Sequence, residues 1–186
     1  MSTQIEPLLT IDDLDAMPDD DNRYEIIEGE LLVSRAPTLT HQSVSMKLAV
    51  SINIYLSQNP IGKVWATPGV IFSESSGVIP DLVFVSNERI PEIASGERIN
   101  GAPDLVIEIV SPGAENERRD RVAKRQLYGK YGVKEYWVVD PENRNIEVYS
   151  LKGKTLKPSA LYTEKDQLAS SILSGFSCRT ESIFSF

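Results

Sequence analysis

Residues 101–113 read GAPDLVIEIVSPG. Leu105, Val106, Ile107, Ile109 and Val110 are apolar, and Pro103 and Pro112 with flanking glycines punctuate the two ends, so the stretch reads as a buried β-strand. Two acids, Asp104 and Glu108, sit inside it. Carboxylates are among the side chains least often buried unless they are paired or hold a metal ion. Alternate residues of a strand share a face, which puts Asp104, Val106, Glu108 and Val110 on one side and Leu105, Ile107 and Ile109 on the other. Four residues at ~3.3 Å each separate the two acids by ~13 Å, too far for them to share an ion.

A partner for Glu108 must therefore come from another strand. Two more strand-like segments precede it, KVWATPGVIFS (63–73) and VIPDLVFVS (78–86), and the second offers Asp81 near its start. Carboxylates on adjacent strands lie roughly 5 Å apart across a sheet, and an all-oxygen site of that kind suits Mg²⁺ or Mn²⁺. Asp81 and Asp104 each follow a proline, and capping the turn is the plain structural role for both, stronger for Asp104. For Glu108, in mid-strand, a structural role of that kind fits poorly.

After SPGAEN, residues 117–131 are predicted to form a helix ending at Gly132. On a helical projection of about 100° per residue, Ala123, Leu127, Tyr128 and Tyr131 form an apolar arc, and Asp120 and Lys124 fall inside it. An inward lysine needs a carboxylate or a metal-bound site to offset its desolvation, and the structural alternative is an internal salt bridge to Asp120 or Glu108. Gln126 and Tyr128 flank Lys124 as supporting candidates.

Farther out, YEIIEGELLVS (24–34) carries a hairpin signal centred on Gly29. A helix over about 41–58 follows, with Thr38 or Thr40 as its cap. Val44, Leu48, Ile52 and Tyr55 form one apolar face and Met46, Val50 and Ile54 another, so this helix is expected to be covered on two sides. His41, the single histidine, opens it, either as a base or phosphate contact or as a surface residue. Residues 87–101 read as a loop. KEYWVVD, PENRN and IEVYSL read as strand, turn and strand, and the last thirty or so residues resist placement. This order predicts an α/β protein, a mixed sheet with helices on its faces and an N-terminal hairpin.

At 186 residues the chain suits one domain, 1–186 with a core of about 23–150. Its 41% hydrophobic and 25% charged content is ordinary for a globular protein. No apolar run is long enough to span a membrane, and MSTQIEPLLTIDDLD lacks a leader pattern, which gives a cytoplasmic expectation. The single Cys178 excludes a disulfide framework and a cysteine-based zinc site and reads as a core filler. A net charge of −8 argues against broad nonspecific nucleic-acid affinity, although residues 117–134 are locally basic. Phosphate-cradling loops, Ser/His/Asp nucleophile sets and dinucleotide fingerprints are absent.

Pro80–Asp81, Glu108-Ile109-Val110 and RDRVAKRQLYGKYGVKEYWVVDP (119–141) together resemble the Uma family within the PD-(D/E)XK nuclease superfamily, and the similarity runs from YEIIEGELL onward. The resemblance implies a restriction-endonuclease-like fold and metal-dependent phosphodiester hydrolysis, with DNA the expected nucleic-acid partner. It implies that Asp81 and Glu108, with the carbonyl of Ile109, hold Mg²⁺ or Mn²⁺, with Glu25 as an extra ligand candidate. Where the superfamily pattern places a lysine two residues after the acid, this chain has Val110. The family it resembles supplies that lysine from the next helix, which points to Lys124. A homodimer through the helix at 41–58 completes the expectation. The rival is a catalytically silent nuclease fold kept as a binding or structural module.

Overall fold

A computed structural model describes residues 8–185. The first seven residues, part of the stretch read above as leaderless, and Phe186 lie outside them. Helix α1 (Ile11–Asp15) is closed by a capping box between Thr10 and Asp13. The predicted hairpin follows as β1 (Arg23–Ile27) and β2 (Glu30–Ser34), with Ile27 opposite Glu30. Its two turn residues, Glu28 and Gly29, both take positive φ (52° and 84°), the conformation whose twist matches a two-residue hairpin.

Helix α2 (Leu39–Gln58) starts at Thr38, whose hydroxyl accepts the amide N–H of His41. Val44, Leu48, Ile52 and Leu56 are buried, whereas Met46, Val50 and Ile54 are exposed. Within the described chain only one side of this helix is covered, and the second apolar face is left open.

The strand read at 63–73 is two strands, β3 (Gly62–Ala66) and β4 (Val70–Ser73), in different sheets. Thr67 takes a positive φ of 51° ahead of Pro68, and this corner carries the chain from one sheet to the other. The segment 78–86 likewise divides into the end of β5 (Ser76–Val78) and β6 (Leu82–Ser86), with Pro80 and Asp81 at the break. A short α3 (Ile90–Ile93) and β7 (Ile99–Asn100) occupy what reads as loop, and β8 (Leu105–Ile109) is the strand of the opening stretch. The predicted second helix runs from α4 (Ala114–Arg118) through a π-helical turn, Arg119–Lys124, into α5 (Arg125–Tyr131). Gly132 ends it at φ 95°.

Strands β9 (Glu135–Asp140) and β10 (Asn145–Lys152) are as read, and the unplaced tail supplies β11 (Thr155–Thr163), β12 (Gln167–Ala169), β13 (Ser177–Arg179) and α6 (Thr180–Phe184). Cys178 is half-buried against the core. No helix among the described residues is long and apolar enough to cross a membrane.

The six-stranded sheet runs β11-β10-β9-β8-β6-β3 and the five-stranded one β2-β1-β5-β4-β7. Both are mixed, since β8 pairs parallel with β9 and β4 with β7 while their other neighbours run antiparallel. Strand β8 is covered on both faces. Leu105, Ile107 and Ile109 join Leu48 and Ile52 of α2 and Trp137, while Val106 and Val110 join Leu127 and Tyr128 of α5. Each fully buried aliphatic side chain contributes roughly 1.5–3 kcal/mol, which explains why the strand is apolar on both faces except where it meets the site.

Candidate active site

Three segments bring carboxylates to one cavity of about 430 Å³. The antiparallel register of β6 on β8 sets Leu82 opposite Ile107. One step further along, Asp81 lies across from Glu108. The Oδ2 of Asp81 accepts the amide N–H of Ile109 at 2.8 Å, so the turn after Pro80 is fastened to the end of β8. Glu25 arrives from β1 on the second sheet, and its Oε1 accepts the amide of Ile79 at 2.7 Å. All three acids are buried.

Lys124 lies between two of them. Its ammonium is 2.8 Å from Glu25 Oε1 and 3.0 Å from Glu108 Oε1, and the residue is 2% exposed. Burial opposes its charge, but Glu108 and Glu25 outweigh burial and hold the ammonium pKa well above the usual lysine value. Tyr128, one turn further on, donates its hydroxyl to the same Glu108 oxygen at 2.6 Å. Burial pushes the Glu108 carboxyl up to about 8, Lys124 pulls it back, and Asp81, Asp120 and Glu25 add to the upward push. Asp81 responds the other way. Burial raises it, but hydrogen bonds from His41 and Ile109 and the charge of Lys124 hold it below the ordinary carboxylate value.

The other candidates divide. His41 is not a surface residue, because its imidazole turns inward against Asp81 at the cavity. It is 5% exposed, lines the cavity, and sets its Nε2 3.1 Å from Asp81 Oδ2. Asp120 is buried but pairs with Arg119, which donates to both its oxygens at 2.9 and 3.1 Å; Lys124 goes instead to Glu25 and Glu108. Gln126 is exposed and is not among the residues that line the cavity, a correction to its supporting role: two residues after Lys124 a helix has turned by about 200°, so it faces away.

Asp104 belongs elsewhere. Its carboxylate takes the Ser86 amide at 2.8 Å, Arg89 at 3.0 Å and Lys134 at 2.6 Å, a structural clamp at the start of β8. Arg23, 3.8 Å from Asp81 Oδ1, and Arg119 also line the cavity. Neither stands out in the sequence. Arg23 adjoins an acidic run, and Arg119 sits in a basic run whose inward members the periodicity does not separate.

Among the described residues no three side chains from His, Cys, Asp and Glu already stand at coordination spacing. The donor chemistry nevertheless fits a hard divalent cation. Glu25, Asp81, Glu108 and Asp120 put four carboxylates into a buried cluster that holds the cations of Lys124 and Arg119. Oε2 of Glu108 and of Glu25 accept no hydrogen bond within the described chain. Carboxylate and carbonyl oxygens are the donors that Mg²⁺ and Mn²⁺ take.

A family model, Uma2, described as "putative restriction endonuclease", matches residues 11–181. The fold also matches the crystal structure of a "putative nuclease belonging to DUF820" from Anabaena variabilis ATCC 29413, with a TM-score of 0.77 and 20% sequence identity over 95% of this chain and 97% of that one. At that identity the likeness establishes a shared mixed α/β fold. No curated protein matches the chain.

Proposed function

The chain belongs to the Uma2 family, and from that premise we propose that it is a metal-dependent nuclease that hydrolyses phosphodiester bonds, with DNA as its substrate. The observation that carries this reading is the meeting of three buried carboxylates, Glu25, Asp81 and Glu108, with the buried Lys124 at one cavity. Asp81 and Glu108, with the main-chain carbonyl of Ile109, would hold Mg²⁺ or Mn²⁺, and Glu25 is the additional donor. A divalent ion bound there supplies Lewis acidity to the scissile phosphate and acidifies a water.

The chain's own groups do the rest. Lys124, kept charged by its carboxylates, lies where it steadies the attacking oxygen and the charge that builds on the phosphate. Arg23 and Arg119, part-exposed at the cavity wall, offer planar donors to flanking phosphate oxygens. Tyr128 fixes the Glu108 carboxylate from behind. The competing reading, a nuclease fold kept as a silent binding module, rests on Lys124 itself: held by two acids, it must be freed from one of them to act.

The test uses metal-stripped protein on supercoiled, linear and single-stranded DNA and on RNA, with and without Mg²⁺ or Mn²⁺. Cleavage should require metal and fall by at least about 10²-fold in Asp81→Asn, Glu108→Gln and Lys124→Met. Cleavage that persists equally in all three variants sinks the site. Metal binding without any cleavage favours the silent module. We further propose that two copies associate through the open face of α2, where Met46, Val50 and Ile54 are exposed.

A further inference from the structure

His41 occupies an unusual position. The Thr38 hydroxyl accepts the His41 amide at 3.2 Å and so fixes the first turn of α2, which sends the imidazole inward against the cavity. Its Nδ1 is buried and has no hydrogen-bond partner among the described residues. The imidazole's polar contact is Asp81 Oδ2, 3.1 Å from Nε2. Burying an imidazole with half of its hydrogen-bonding capacity unused is costly, and packing alone would be served better by an apolar side chain.

The oxygen that His41 reaches is also the one bonded by the Ile109 amide at 2.8 Å. Oδ2 therefore takes two donors, and Oδ1, 3.8 Å from Arg23 and beyond hydrogen-bond range, remains open to another partner. The terminal torsion of an aspartate is broad and weakly held. With Ile109 as its one anchor, the carboxylate could swing and close on Arg23. With both anchors it is pinned.

We propose that His41 is a positioning residue that holds the Asp81 carboxylate in the orientation that binds the divalent ion, an inference that rests on the metal-dependent reading above. Partners of this kind behind a ligating carboxylate fix its direction and are worth about 10–100-fold in metal affinity.

Mn²⁺ affinity, measured by titration calorimetry on the full chain, tests this without reference to turnover. The glutamine amide nitrogen lies the same number of bonds from Cβ as the histidine Nε2, so His41→Gln keeps a donor within reach of Asp81. His41→Leu removes the donor. The expected result is Mn²⁺ binding weakened about 10–100-fold in His41→Leu and mostly recovered in His41→Gln, with cooperative metal-free unfolding in both. If the leucine variant does not fold, His41→Asn, whose amide falls one bond short, takes its place in the same comparison. Equal affinity in wild type and His41→Leu overturns the proposal, as does a glutamine variant no better than leucine. Folded wild type that binds no Mn²⁺ overturns the metal reading itself, a result distinct from any difference among variants.

Discussion

At Glu108 burial and charge pull in opposite directions. The carboxyl is pushed up to about 8 from an ordinary 4.5, so between those values the native state keeps a proton that the unfolded chain has released. A state that binds more protons loses stability as pH rises. The metal-free fold should therefore weaken from about pH 4.5 to about pH 8 on account of this one group. Glu108→Gln preserves an acceptor for Tyr128 and Lys124 and removes the titration. In metal-free melts the variant should gain steadily on wild type between pH 5 and pH 8.5, by several degrees over that span. A gap that does not widen over that range would contradict the assignment. The sequence makes Glu108 legible, because an acid in the middle of an apolar strand must be paired or hold a metal to be buried there. His41 is not legible in the same way: its burial depends on Asp81 and the other cavity residues, which come from distant parts of the chain.

Among the elements, the helical stretch from Ala114 to Tyr131 shows how far periodicity reaches. The apolar arc places Lys124 inward, and the structure has it inward, yet the turn that presents it is a π-helix. Such turns insert one extra residue into the α pattern and recur at functional sites. They carry no composition signal, and the residues RDRVAK would serve an α-helix equally well. After this turn the helix is seated by a glycine. A Cβ at Gly129 would meet the Leu156 amide nitrogen at 3.0 Å and the Lys154 carbonyl at 3.2 Å, both backbone atoms of the β10–β11 hairpin that cannot easily move. Gly129→Ala should then force α5 and the hairpin slightly apart and cost about 1–3 kcal/mol, more than the helix-propensity gain of nearly 1 kcal/mol returns. Urea unfolding would measure it, and a neutral or stabilised variant would refute the close approach. Because Lys124 and Tyr128 ride on the same rod, cleavage should fall together with stability.

On the scale of the whole molecule, the open face of α2 is the main unfinished surface. Leu39, Met46, Val50 and Ile54 are exposed along it, on a helix of 20 residues that is about 30 Å long. The helix contains no acidic residue, although the chain carries a net charge of −8. Two such chains repel over most of their surfaces, and this apolar stripe is where they can approach and bury area. Light scattering at tens of micromolar should give a dimer, and Val50→Glu, at the centre of the stripe, should give a monomer with an unchanged far-ultraviolet spectrum. A monomeric wild type would end the dimer reading. The C-terminal segment, too, is fixed only at this scale. The buried Glu135 of β9 accepts hydrogen bonds from Trp137 Nε1 at 2.8 Å, from the Ser170 hydroxyl at 2.6 Å and from the Ser171 amide at 2.9 Å. One carboxylate thus fastens residues more than thirty positions away.

The sequence by itself determined the hairpin at Gly29, the buried strand through Glu108, the helix that turns Lys124 inward and the mixed α/β class. Each follows from local periodicity, turn chemistry and the cost of burying charge, which act over a few residues. Only the tertiary structure decided that residues 63–73 divide between two sheets, that Glu25 from the second sheet shares Lys124 with Glu108, and that Asp104 is a clamp with Arg89 and Lys134. The same holds for His41, which stands behind Asp81 rather than at the surface. These depend on which distant segments pair, and the free energy of such pairings lies in contacts between positions whose spacing along the chain carries no period.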